Sequence, residues 1–261
     1  MIHRLIDRYF IKKPKFRRFV TKLLFGESDQ AINLLGTPLL VHSLKENGYL
    51  RAHRIGQKHS VYKNEALVLM NLALLVQPED TFLDVGANIG VYCCTLARRS
   101  AMTKQPGQTL AFEANPDTYG RLKENAKSLP IECHNMAISK EAGTLEFVAG
   151  AVSHVFTTTQ HANSYNIRQE TQTVSCQRLD SFDIRGNSIV MKIDVEGQEL
   201  DVLLGAEGFL AARRVKAIYI DGFADPKLPG HLRDRGFRLL DGKTLLPFAE
   251  NGFNLLAMRD V

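Results

Sequence analysis

The chain has 261 residues, 44% of them hydrophobic, which suits one α/β domain with an extension and leaves little room for a second large domain. Its four cysteines (Cys93, Cys94, Cys133, Cys176) show no C-x-x-C spacing and form no zinc pattern with the eight histidines, so a reduced, cytoplasmic setting is expected. The net charge of +5 is concentrated at one end: residues 1–26 carry eight Lys/Arg against Asp7 alone, while the remainder sums to −2, which argues against a large nucleic-acid footprint on the body.

Residues 1–25 contain two short apolar stripes at helical spacing, Ile2-Leu5-Ile6-Tyr9 and Phe16-Phe19-Val20-Leu23-Leu24, with Pro14 placed to start the second helix. Two readings are open. A basic amphipathic helix can lie on an anionic membrane as a peripheral contact. A stripe backed by charges is also the ordinary pattern of a helix packed on its own body or on a second subunit, and that reading is preferred. No apolar run is long enough to span a bilayer, and the charged N-terminus lacks the apolar core of a signal peptide. Residues 26–61 complete an N-terminal extension, with a short strand over 38–41 as part of a hairpin at the mouth of the domain. Residues 64–76 are apolar almost all round and predict a buried helix.

Residues 62–261 are expected to form one domain, in which strands and helices alternate from residue 81 on, as in a mostly parallel sheet with helices on both faces. The first strand, 81–86, runs into the turn Gly86-Ala87-Asn88-Ile89-Gly90 and then an amphipathic helix. This turn is G-x-x-x-G with Asp84 two residues before it, not the G-x-G-x-x-G of a dinucleotide fold. The second strand, 109–114, ends in Glu113, 23 residues beyond Gly90, where α/β nucleotide folds place a carboxylate on ribose hydroxyls. Next come a helix from Pro116 and a third strand, 131–134. Residues 143–148 and 172–176 alternate at period two and predict an antiparallel insertion, separated by a long polar loop containing His154 and His161. The fourth strand is 189–195, its helix 198–210, and the fifth strand 217–220. Residues 237–240 and 254–258 form a closing pair.

Two charges interrupt the apolar fourth strand near its C-terminal end, Lys192 and Asp194, which share a face by the period of two. Ligands in open α/β sheets bind beyond the strand ends, so Asp194 is a candidate to meet substrate; a structural Lys192–Asp194 ion pair is the plain alternative. Glu196 lies at the start of the next helix, where acids also suit the helix dipole. Glu113 has its own plain reading as a cap for the helix after it. Asp221 closes the fifth strand, and with Asp194 could hold Mg²⁺, but two carboxylates leave the question of a metal undecided.

Three phrases, Asp84-Val85-Gly86-Ala87-Asn88-Ile89-Gly90, Phe112-Glu113-Ala114-Asn115-Pro116 and Lys192-Ile193-Asp194-Val195-Glu196-Gly197, occur in this order. Together they resemble the FkbM family of S-adenosylmethionine (SAM)-dependent O-methyltransferases over about residues 62–259. The resemblance implies a Rossmann-like class I methyltransferase sheet, mostly parallel with an antiparallel C-terminal strand. It implies SAM as cofactor, held by Asp84, Gly86, Ala87, Asn88, Gly90, Glu113, Ala114, Asn135, Ala137 and Asp194. Glu65 matches a glutamate that family members carry at the start of the preceding helix. Asp194, Glu196 and Lys192 are then the catalytic candidates, and a hydroxyl of a sugar, glycolipid or polyketide-like molecule the acceptor. The alternatives are a nucleotide-dependent oxidoreductase, for which the dinucleotide fingerprint is missing, and a non-catalytic scaffold docking through its basic N-terminus. The sequence does not specify an oligomeric state.

Overall fold

The computed structural model describes residues 14–102, 107–149, 155–156, 170–186, 188–249 and 252–259. The first apolar stripe, His154 and His161 lie outside the described residues. Helix α1 (Pro14–Phe25) begins at the expected proline. It leads into a hairpin of β1 (Asp29–Leu34) and β2 (Thr37–His42), then α2 (Asn47–Ile55) and α3 (Ser60–Leu75). The hairpin and α2 share one core with the rest of the chain. Leu34, Val41 and Leu50 belong to the same buried cluster as Val91 and Leu122 of the α/β body.

The body alternates β3 (Thr81–Val85), α4 (Val91–Ser100), β4 (Thr109–Phe112), α5 (Pro116–Ala126) and β5 (Ile131–His134). An inserted sheet comes after it, of β6 (Ala137–Ile138), β7 (Gly143–Ala149), β8 (Val155–Phe156) and β9 (Glu170–Gln177), with β7 and β9 antiparallel as the alternation predicts. The chain then returns through β10 (Ile189–Ile193), α6 (Glu199–Gly205), α7 (Glu207–Ala211), β11 (Val215–Asp221), α8 (Leu228–Asp234), β12 (Arg238–Asp241) and β13 (Asn254–Met258).

The main sheet has seven strands in the order β12-β13-β11-β10-β3-β4-β5, and β13 alone runs against its neighbours. This is the α/β class I methyltransferase sheet that the resemblance implies. Every residue of β3, β4 and β10 is buried, because helices cover both faces, and that is why these strands read as nearly unbroken apolar runs. Strand order reverses between β3 and β10, which opens a crevice beyond their C-terminal ends.

Two expectations are corrected. The helix predicted as buried all round exposes a stripe on α3, with Leu67 44%, Met70 53% and Leu74 69% accessible. Only Val68, Leu69 and Leu72 of its apolar side chains are fully buried; one face suffices to cover the sheet layer beneath it. The single helix expected over 198–210 is two short ones, broken at Ala206. There the chain presses so closely on the insertion that a Cβ on Gly205 would lie 2.1 Å from the Ser139 carbonyl oxygen.

Candidate active site

A cavity of about 280 Å³ lies at the crevice between the ends of β3 and β10. Its floor is built by a close approach of two strand ends. Asp194 N–H donates to the Val85 carbonyl at 3.0 Å, and Lys192 Nζ donates to the Gly86 carbonyl at 2.6 Å. Gly86 has φ +75°, and a Cβ there would sit 1.9 Å from the Asp194 carbonyl oxygen. Glycine is therefore required so that the Asp194 backbone can lie against the turn. Gly86 lines the cavity, but its missing side chain makes room for protein backbone.

Lys192 is the buried hub. Its ammonium lies 3.3 Å from Asp84 Oδ1 and 3.4 Å from Asp194 Oδ2, and sits over the Tyr92 ring at 5.5 Å. Burial opposes its charge, but the carboxylates of Asp84, Asp194 and Asp221 outweigh that and hold its pKa above the ordinary lysine value. The other Asp84 oxygen accepts the Cys93 N–H at 3.1 Å near the start of α4. Thus Asp84 and Lys192 stand behind the floor and fix its shape. Both the plain ion-pair reading and the site reading had a basis: Lys192 pairs with Asp194, and Asp194 also faces the cavity.

Glu113 is 5% exposed and lines the cavity. Its Oε2 accepts the Asn88 N–H at 2.9 Å and its Oε1 the Asn115 N–H at 2.8 Å. The helix cap is instead Asn115, whose Oδ1 accepts from Asp117 and Thr118 N–H. Glu113 thus ties the glycine turn to the end of β4. Burial pushes its carboxyl up to about 7, although both amide bonds and the charge of Lys192 pull the other way.

Asn88 and Glu196 line the same cavity with φ +52° and +45°, conformations that non-glycine residues rarely hold. The opposite wall carries Glu65, Tyr49, Asp221 and Phe253. Tyr92 Oη donates to Glu65, and burial raises the Glu65 pKa, opposed by that bond and augmented by Asp221 and Asp194. Burial raises Asp194 as well, against the attraction of Lys192 and with help from Asp221 and Glu196. The Asn254 amide lies 2.7 Å from Asp221 Oδ1, and with its nitrogen turned toward β11 it donates to that oxygen.

The structure gathers Glu65, Gly86, Asn88, Glu113, Ala114, Ala137, Asp194 and Glu196 around one cavity. It holds Ala87, Gly90 and Asn135 off the wall. Ala87 N–H bonds the Phe112 carbonyl, Gly90 caps α4 at φ +91°, and Asn135 Nδ2 bonds the carbonyls of Glu113 and Ala114 at 2.9 and 3.1 Å. Sequence reasoning did not single out Tyr49 or Phe253. Tyr49 gives no signal within its short amphipathic helix. Phe253, beside Gly252 in a loop before the last strand, offers the faint one of an aromatic residue at a turn.

The wall has a distinct charge. Five carboxylates line it, Glu65, Glu113, Asp194, Glu196 and Asp221, and no Lys, Arg or His does so among the described residues. Among those residues no group of three or more His, Cys, Asp and Glu converges as a metal site. Such a wall suits a cationic ligand with hydroxyl donors. SAM, with its sulfonium, ammonium and ribose, fits that chemistry; a dinucleotide pyrophosphate meets repulsion from it.

Comparison with known proteins agrees with the resemblance. The family model described as Methyltransferase FkbM domain matches residues 84–239. A relative named hexuronic acid methyltransferase AglP, from Haloferax volcanii, is 29% identical over 167 residues. That match covers 63% of this chain and 66% of the relative, slightly less than two thirds of its length. Solved structures similar to the chain include a ribosomal protein L11 methylase from Lactobacillus delbrueckii subsp. bulgaricus (TM-score 0.42, 14% identity, 77% of this chain and 80% of that one). Another is the magnesium protoporphyrin IX methyltransferase from Synechocystis PCC 6803 with bound SAM (TM-score 0.39, 12% identity, 98% and 96%).

Proposed function

The chain belongs to the FkbM methyltransferase family, and from that premise we propose that it transfers the methyl group of SAM to a hydroxyl of a sugar-like acceptor. The observation that carries this reading is the carboxylate-lined cavity at the β3/β10 switch point, with Glu113 buried in its wall. SAM supplies an electrophilic methyl group on a sulfonium, so the donor arrives already activated.

The chain's own residues then have three tasks. Glu113 accepts hydrogen bonds from the ribose hydroxyls, using the lone pairs that Asn88 and Asn115 leave free. Asp84 and Lys192 hold the glycine turn and the Asp194 backbone in register behind the cavity. Asp194 orients the acceptor hydroxyl and takes its proton at a carboxylate oxygen; its raised pKa makes it a stronger base than an ordinary aspartate. Glu196, held on the same wall in a strained conformation, is the second candidate for that proton. Alignment of donor and acceptor can contribute about 7–11 kcal/mol, so positioning outweighs the base.

Tyr49 and Phe253 add aromatic surface against which the C–H face of a pyranose can pack. The relative named for a hexuronic acid supports a sugar acceptor. The test is incubation of the protein with deuteromethyl SAM and a panel of neutral and uronic glycosides, free and lipid-linked. The expected product carries the label on an oxygen. Label on carbon or nitrogen, or turnover that needs a nicotinamide cofactor, overturns the proposal; tight SAM binding with no transfer to any glycoside supports the scaffold reading instead.

A further inference from the structure

Helix α1 carries a stripe of solvent-exposed apolar side chains. On the side facing the body, Thr21 is 8% exposed and accepts a hydrogen bond from Asn47 Nδ2 at 2.8 Å, and the Phe25 ring lies 5.1 Å from the Arg54 guanidinium. On the opposite side Phe16, Phe19 and Leu23 are 48%, 62% and 74% exposed, and Leu24, lateral to them, is 58% exposed. At the helical repeat, Phe16, Phe19 and Leu23 fall on one narrow arc. Exposed Lys22 lies about 60° beyond its Phe19 edge, and exposed Arg18 about 40° further round the helix. Among the described residues the body takes the other face of α1, through Thr21 and Phe25.

We propose that α1 docks on an anionic lipid surface, with Phe19 and Leu23 buried among the headgroups. Charge selects this occupant. Residues 1–26 hold eight Lys/Arg against Asp7 alone. Anionic headgroups complement that charge and the apolar arc enters the acyl boundary beneath them. A second copy would bring two such segments together as like charges. Nucleic acid would satisfy the cations and leave the phenylalanines and leucines in water. Docking also has a consequence for the site: α1 rests on α2 through Asn47, and Tyr49 of α2 lines the cavity. The cavity therefore lies within one helix of the docking helix.

The test is co-sedimentation of the full chain with phosphatidylcholine vesicles, with and without phosphatidylserine, at low and high salt. Wild type is expected to pellet on the phosphatidylserine vesicles, to release with salt, and to leave pure phosphatidylcholine vesicles unbound. Phe19→Ser with Leu23→Ser keeps every charge and changes only solvent-exposed positions, so circular dichroism should be unchanged while bound fraction falls about tenfold or more. Arg18→Glu with Lys22→Glu should lose binding similarly. Absence of pelleting at low salt overturns the proposal. So does a wild-type dimer that dissociates in the Phe19/Leu23 variant, or retention on RNA that this variant leaves unchanged.

Discussion

Protonation of Glu113 should set the affinity for SAM across the neutral range. The structure holds this carboxyl at about 7 in the free protein, because burial raises it more than the Asn88 and Asn115 amides and Lys192 lower it. Ribose hydroxyls donate to the ionised form, so binding favours the carboxylate. With a midpoint near 7 about one tenth of the protein is ionised one unit below it and about nine tenths one unit above, so affinity should rise about tenfold from pH 6 to pH 8. Glu113→Gln keeps the shape and removes the charge. A hydrogen bond to a charged group contributes about 1.5–3 kcal/mol, so the variant should bind about 10- to 100-fold more weakly at pH 8. At pH 6 the gap should narrow. The amine of SAM titrates near 8 and would itself bend the profile, so the quantity to read by calorimetry is the ratio of variant to wild type at each pH. A ratio that stays constant from pH 6 to pH 8, or an unweakened folded variant, refutes the ribose role and its charge dependence.

Asp194→Asn should retain SAM affinity within a few-fold and lose about 10²–10⁴ in kcat. Its folded pKa is raised, so the ionised form weakens the fold as pH rises through that value. The variant should accordingly melt no lower than wild type at pH 8, and a lowered melting point with turnover intact would assign Asp194 to a structural pair with Lys192. Lys192→Met leaves Asp84 buried without its cation and should cost about 3–5 kcal/mol in chemical denaturation; Asp84→Asn added to it should recover part of the loss. Gly86→Ala should displace the Asp194 backbone and abolish transfer, with a drop in stability measurable even before SAM is added.

The centre of the sheet was legible because β3, β4 and β10 are buried on both faces and read as apolar runs between turns; these strands, with β5 and β11 beside them, lie within a few residues of their expected positions. The closing pair, β12 and β13, alternates less clearly but is bounded by glycine and loop residues. Three things were hidden. The Asp84–Lys192 contact joins residues 108 positions apart and needs the parallel register of β3 and β10, which pairs Asp84 with Lys192 directly. Tyr49 reaches the cavity from a helix whose own pattern says only that one side is buried. The exposed faces of α1 and α3 look identical in sequence to faces that pack, since periodicity reports a stripe and not its partner.

The placement of donor and base at one cavity is tested most directly by a crystal structure of the protein with S-adenosylhomocysteine. The account predicts ribose hydroxyls within hydrogen-bond distance of Glu113 and the sulfur atom turned toward Asp194, with Gly86 backbone beneath it. A ligand bound outside this cavity, or bound with its ribose away from Glu113 and its sulfur away from Asp194, contradicts it.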